Sequence, residues 1–138
     1  MFDIGRYLKA GLKNTLLFRN NTNISFNGPW IQVYGDTVLD RWHVSDFSTV
    51  EYTISADYDT ENKEILKALV TATVDKASIV VFSRNSTLRS IIDIDATVNN
   101  SYLDLIVRSA DSEDSSTLEG AKVIYSAQYY HNQNPPRL

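Results

Sequence analysis

The chain has 138 residues, of which 43% are hydrophobic and 22% charged, a composition typical of one globular domain with its own core. Its net charge of −4 argues against nucleic acid as the main partner, because phosphate binding requires clustered Lys and Arg. The absence of cysteine excludes disulfides, cysteine-ligated zinc and a thiol nucleophile. Charges at Asp3, Arg6 and Lys9 interrupt the N-terminal residues, so neither a signal peptide nor a membrane span is predicted.

Residues 1–23 form a segment with apolar side chains at near-helical spacing, namely Ile4, Tyr7, Leu8 and Leu12. Asp3 could cap a short helix here, although two glycines disfavour one. We interpret residues 1–23 as an N-terminal arm or short helix. The arm is either loosely attached or docked on a neighbouring subunit.

The first strands follow from residue 24 onward. Residues 30–34 read as a compact apolar strand between two turn signals. The next strand places Val38, Asp40, Trp42 and Val44 on one face, with Leu39, Arg41 and His43 on the other.

The clearest pattern is an antiparallel hairpin between Val50 and Val74. Its inward positions alternate with polar ones on both strands, and they are Val50, Tyr52, Ile54, Ala56, Tyr58, Leu66, Ala68, Val70, Ala72 and Val74. A polar tip at residues 59–63 reverses the chain between the strands.

Four further segments complete the pattern. Residues 77–84 contain the run Ile79–Phe82, which we predict to be buried on both faces. Residues 92–98 and 102–109 form a second hairpin around an Asn99-Asn100 turn. A last long strand carries inward residues at Ala121, Val123, Tyr125, Ala127 and Tyr129, after a polar loop at residues 110–119.

About eight strands at short spacing predict an all-β protein, an antiparallel β-sandwich of jelly-roll-like type. The predicted organisation is an N-terminal arm at residues 1–23, a sandwich domain at 24–131 and a C-terminal tail at 132–138. No linker divides the chain.

No catalytic site, metal site or cofactor is predicted from the residue pattern. His43 and His131 are more simply surface or edge residues than bases, and no nucleophile elbow or phosphate loop is present. Asp57, Asp59 and Glu61 have the alternate spacing of a calcium loop, but the glycine and glutamate that the loop also requires are missing. The acids of residues 111–114 are either a solvated run or a loose cation site.

Aromatic residues could serve binding, as in a sugar-binding sandwich or a subunit interface. Most are predicted to be core residues, and this group includes Trp30, Tyr34, Trp42, Tyr52, Tyr58, Tyr125 and Tyr129. By alternation Tyr102 and Tyr130 point the other way and are interface candidates. Pro135 and Pro136, which cannot continue a sheet, complete the candidate interface together with the arm.

The run at residues 44–55, VSDFSTVEYTIS, resembles a module of virion structural proteins of tailed bacteriophages, especially marine and cyanobacterial myovirus-like phages. Further matching segments are residues 63–66, 92–98, 102–107 and 122–126, so the resemblance covers residues 38–131. It implies a β-sandwich component of a tail, a fibre or another part of the virion, and it brings no catalytic residues.

We therefore expect a non-enzymatic structural protein, made in the host cytoplasm and located in the virion. Its expected partners are copies of itself and other virion proteins, with no nucleic acid and no membrane. The alternative is a carbohydrate-binding sandwich that recognises a surface glycan of the host.

Overall fold

A computed structural model describes residues 24–111 and 117–131. This part of the chain forms β1 (Ile24–Asn27), β2 (Ile31–Val33), β3 (Thr37–His43), β4 (Phe47–Asp57), β5 (Lys63–Ala72), β6 (Ala77–Ser86), β7 (Ile92–Asn99), β8 (Tyr102–Ser109) and β9 (Ala121–His131). Within the same ranges no helix is long and apolar enough to span a bilayer. The predicted helix in residues 1–23 falls outside the described part.

The strands form two antiparallel sheets. The larger sheet has the order β1-β9-β4-β5-β6, with β2 pairing the same strand β9, and the smaller sheet has the order β3-β8-β7. Tyr52 and Leu66 of the larger sheet and Trp42 and Leu103 of the smaller sheet belong to one buried cluster. The predicted all-β class and antiparallel β-sandwich are confirmed.

The predicted hairpin is β4 and β5, and its register pairs inward residues with each other. Tyr52 lies opposite Ala68 and Ile54 opposite Leu66, and all four are buried. The prediction for Val74 is wrong, because β5 ends at Ala72 and Val74 lies in the following turn, 68% exposed.

A β-bulge in β3 changes which side chains reach the core. The register with β8 shifts between Val38 and Asp40, so Leu39 is an extra residue in β3. Leu39 and Asp40 are therefore both buried, whereas strict alternation predicted them on opposite faces. The bulge turns Leu39 into the interior beside Asp40, which shares the inward face of Trp42 by simple alternation.

The prediction that β6 is buried on both faces is wrong. This strand is the last of the larger sheet, so within the described part of the chain it has a paired neighbour on one side only. Val80, Val81 and Phe82 are 55%, 38% and 50% exposed. The strand also continues to Ser86, two residues beyond the predicted end.

The turn between β7 and β8 lies one residue later than predicted. The two turn residues are Asn100 and Ser101, with φ of 52° and 66°. Positive φ at both positions matches the right-handed twist of a two-residue hairpin, and Asn tolerates this conformation better than most residues.

Candidate functional site

A row of polar side chains crosses the outer face of the larger sheet near the tip of the β4–β5 hairpin. The strand registers place Gln32 beside Lys122, Lys122 beside Asp57 and Asp57 beside Lys63. All four side chains are exposed, and the Lys63 Nζ lies 3.1 Å from Asp57 Oδ1. The row therefore alternates hydrogen-bond donors and acceptors over four adjacent strands.

An open groove of about 380 Å³ follows this row. We call it the hairpin-tip groove, and the residues that define it are Gln32, Asp57, Tyr58, Asp59, Lys63 and Lys122. A smaller depression beside it shares Asp57 and Lys63 and extends towards Asn85. The polar surface thus continues over the outer face towards β6.

Three exposed aromatic side chains flank the hairpin-tip groove. Trp30 is 57% exposed and has the Lys122 Nζ 4.9 Å from its ring centroid. Tyr34 and Tyr58 are 59% and 40% exposed. The prediction that these three are core residues is wrong, because each lies just outside the strand to which the sequence pattern assigned it.

Gly120 brings the Tyr34 ring close to the groove. Its φ is +91°, a conformation that side chains rarely adopt, and a Cβ there would lie 3.2 Å from the Tyr34 ring. The Gly120 carbonyl also accepts a hydrogen bond of 3.4 Å from Gln32 Nε2. Aromatic faces beside amide and charged groups are suited to binding a polar ring such as a sugar.

The Asp59 carboxylate is committed to its own loop. Its Oδ1 accepts hydrogen bonds from the backbone N–H groups of Glu61 and Asn62 at 2.8 and 2.7 Å. The bond from Glu61, and then those from Asn62, hold the pKa of Asp59 below its usual value. Asp59 therefore shapes the groove wall as a negative charge.

Asp40 is the centre of a buried polar cluster that joins the two sheets. Its Oδ2 accepts hydrogen bonds from the hydroxyls of Tyr52 at 2.8 Å and Tyr129 at 2.6 Å, and its Oδ1 accepts one from Tyr125 at 3.1 Å. The Tyr52 hydroxyl also accepts a hydrogen bond of 3.0 Å from Trp42 Nε1. Asp40 and Trp42 come from the smaller sheet, and the tyrosines from the larger one.

Burial, and then the charge of Asp40, raise the pKa of Tyr52 and Tyr129 well above the usual value. Both hydroxyls therefore stay protonated and act as donors at neutral pH. Since Asp40, Trp42 and the three tyrosines are all buried, we interpret the cluster as structural.

Because Gly28 has no side chain, its backbone packs directly against the Tyr125 ring of the Asp40 cluster. A Cβ at Gly28 would lie 2.1 Å from a carbon of the Tyr125 ring, and the Gly28 N–H donates to the Tyr125 carbonyl at 2.9 Å. Only glycine fits at this approach.

Glu64 forms a second buried polar cluster, which lies where the chain connects β6 of the larger sheet to β7 of the smaller sheet. Its Oε2 accepts hydrogen bonds from Arg84 Nη1 at 2.8 Å and from the Ser86 hydroxyl. Its Oε1 accepts the backbone N–H groups of Ile91 and Ile92 at 3.0 and 3.1 Å. One buried carboxylate thus connects β5, β6 and the start of β7.

The interface candidates that the structure describes lie apart from each other. Tyr102 on the smaller sheet is 39% exposed, with its ring edge-on to His43 at 4.9 Å. Tyr130 lies on the larger sheet, opposite Thr49, and is partly exposed. The remaining candidates fall outside the described residues, namely Ile4, Tyr7, Leu8, Leu12, Pro135 and Pro136. Their role as contacts stays a prediction.

A patch of exposed apolar side chains surrounds the edge strand β6. We call it the β6 patch, and it consists of Leu69, Val74, Val80, Val81 and Phe82, each 38% to 68% exposed. Val80 pairs with the outward Leu69, whereas Val81 pairs with the buried Ala68. The patch therefore continues over both faces of the sheet edge.

In the described part of the chain, no group of three or more His, Cys, Asp or Glu side chains is placed to hold a metal ion. The architecture is that of an antiparallel β-sandwich with two buried carboxylate clusters, an open polar groove and an apolar edge.

Comparison with known proteins finds similarity at the level of solved structures. No family model and no curated protein matches the chain. The tailspike protein of Acinetobacter baumannii phage AM24 is similar over 83% of this chain and 27% of its own, with 9% identity and a TM-score of 0.49. The tailspike of Acinetobacter phage vB_ApiP_P1 is similar over 80% and 21%, with 8% identity and a TM-score of 0.38.

A third similar structure is the tailspike gp49 of Acinetobacter baumannii bacteriophage Fri1, a capsular polysaccharide depolymerase. It matches over 80% of this chain and 17% of its own, with 11% identity and a TM-score of 0.40. This chain spans about a quarter or less of the length of the three tailspike structures. Structural similarity at such low sequence identity and TM-score does not assign a function.

Proposed function

We propose that the chain is a non-enzymatic structural component of a tailed-phage virion, in the tail or a fibre, that acts through assembly with copies of itself and with other virion proteins. The resemblance of residues 38–131 to virion modules supports the phage setting, and it points to a marine or cyanobacterial myovirus-like phage.

The observation that carries the assembly role is the β6 patch. Proteins usually protect an edge strand with charges, proline or a covering segment, because a free edge pairs with other chains. Residues 77–83 contain no charged residue and no proline, and three apolar side chains there are exposed. Burial of this surface stabilises an assembly at about 25 cal/mol per Å² of apolar area.

We expect the purified protein to form a defined oligomer, and Val80→Lys to shift it towards monomer by tenfold or more in dissociation constant. The lysine would place a charge in the middle of the apolar edge. Light scattering coupled to size exclusion measures the mass over a concentration series.

Thr97→Lys on β7 is the matched control, since Thr97 is also exposed on an edge strand but belongs to the smaller sheet. A monomeric wild-type protein, or an oligomer that is equally stable in both variants, would contradict assembly through β6. Removal of residues 1–19 tests in the same experiment whether the predicted arm contributes.

The second candidate function is binding of a surface carbohydrate in the hairpin-tip groove. The exposed Trp30 ring beside Lys122 and the alternating polar row favour it. A sugar ring can pack its apolar face on the indole while its hydroxyls bond to the amide, carboxylate and ammonium groups of the row.

If this candidate is right, Trp30→Ala weakens glycan binding by about tenfold, the scale of one aromatic contact. A glycan array followed by titration of the best ligand gives the measurement. Tyr102→Ala is the control, since that ring is exposed on the other sheet. Equal binding by the two variants would refute a site at the hairpin-tip groove.

A further inference from the structure

The free side of β6 has unpaired backbone groups. Among the described strands only β5 pairs with β6, so in residues 24–111 and 117–131 one side of the strand offers a row of N–H and C=O groups. The first half, Ala77–Val81, is regularly paired with β5, and the register shift follows at Phe82. The segment Ala77–Val81 is therefore extended and ready to pair with another strand.

The side chains of this segment define what such a strand must look like. Val80 points to the outer face beside Leu69, and Val81 lies on the inward side beside Ala68. A matching strand needs apolar residues on both faces and no charge. The segment Ala77–Val81 itself has this composition.

The other edges of the two sheets are poorer candidates for self-pairing. The opposite edge of the larger sheet is divided between β1 and β2, which have only four and three residues. The smaller sheet ends at β7 and at β3. Strand β7 carries Asp93 and Asp95, so pairing with itself would bring carboxylates together, and β3 is interrupted by its bulge and carries the exposed Arg41.

We propose that two copies of this chain pair antiparallel through Ala77–Val81 about a two-fold axis, which joins their larger sheets into one continuous sheet. This inference rests on the proposed assembly function and names its partner and symmetry. A two-fold axis places the same patch on both sides of the interface, so apolar residues of the segment lie opposite each other.

The charge distribution is compatible with this arrangement. Each copy has a net charge of −4, but the paired segment is uncharged. The one charge on β6, Arg84, lies beyond the register shift and is paired with Glu64 and Asp93.

Disulfide trapping tests the symmetry directly, because the chain contains no cysteine. Single cysteines are introduced as Ser78→Cys, Ile79→Cys and Val80→Cys, near the proposed axis. Two controls are Asn85→Cys, far along the same strand, and Thr97→Cys on β7. Each variant is checked for wild-type circular dichroism and then oxidised with diamide at a concentration where light scattering shows the oligomer.

We expect at least one of the three axial variants to form a disulfide-linked dimer ten or more times faster than both controls. Only residues near a two-fold axis meet their own copy, and opposite positions in an antiparallel pair have Cβ atoms about 5 Å apart.

The outcomes separate this inference from the proposed function. An oligomer that Val80→Lys dissociates, but in which no axial cysteine reacts faster than the controls, overturns the two-fold pairing and keeps assembly through β6. A wild-type monomer, as would result if the chain's own arm covered β6, overturns both proposals.

Discussion

Glu64→Ala is expected to lower the free energy of unfolding by about 3–5 kcal/mol, as measured by urea denaturation at neutral pH. The Glu64 side chain is fully buried and accepts the Arg84 guanidinium, the Ser86 hydroxyl and two backbone N–H groups. Its removal leaves buried donors without an acceptor and the arginine without its main counter-charge.

An exposed ion pair supplies the control for this prediction. Arg41 forms two hydrogen bonds with Asp104, at 2.6 and 3.1 Å, but its side chain is 46% exposed. Arg41→Ala should therefore cost about 1 kcal/mol or less. Equal losses in the Glu64 and Arg41 variants would show that the Glu64 cluster does not connect the two sheets as described.

Asp40→Ala is the second large effect, and we expect a loss of about 3 kcal/mol or more in the free energy of unfolding. Three tyrosine hydroxyls would lose their common acceptor in a buried site, and a cavity would remain. Trp42 donates a hydrogen bond to the Tyr52 hydroxyl, so the wavelength or intensity of its fluorescence emission should change in the folded variant.

Two further variants sharpen the Asp40 test. Tyr52→Phe removes one donor and keeps the ring, so it should cost about 1–2 kcal/mol. Asp111→Ala, at an exposed position, should change stability by no more than about 0.5 kcal/mol. An Asp40 variant as stable as the Asp111 variant would contradict a structural role for the buried cluster.

The sequence predicted the elements whose side chains alternate regularly. The β4–β5 hairpin was predictable because a polar tip separates the strands and every second residue is apolar from Val50 to Tyr58 and again from Leu66 to Ala72. The same rule found the inward faces of β8 and β9. Period-two patterns specify register strongly when one face is buried.

The roles of the two buried carboxylates could not be found in this way. Asp40 alternates with Trp42 on the inward face, but its hydrogen-bond partners Tyr125 and Tyr129 lie 85 and 89 residues away. Glu64 occupies an inward position of β5, but its partners Arg84 and Ile91 lie 20 and 27 residues away. Such long-range pairing is a property of the folded topology.

At the candidate binding surfaces, by contrast, the sequence pattern predicted buried side chains and the structure shows exposed ones. Trp30 and Tyr58 were assigned to the core because they continue an apolar pattern, yet Trp30 lies just before β2 and Tyr58 just after β4. The run Ile79–Phe82 has the pattern of an interior strand and lies at an edge. That mismatch, visible only after comparison with the structure, is the reason for our proposal that another chain covers β6.

The position of β9 determines the order in which the fold can be completed during synthesis. This strand lies between β4 and the pair β1 and β2, and it follows all eight other described strands in sequence. A nascent chain can therefore close the β4–β5 and β7–β8 hairpins early, but β1 and β2 lack the described strand with which they pair until residues 121–131 leave the ribosome. Such non-local pairing folds slowly, in milliseconds to seconds, and leaves sheet edges open to misassociation while translation continues.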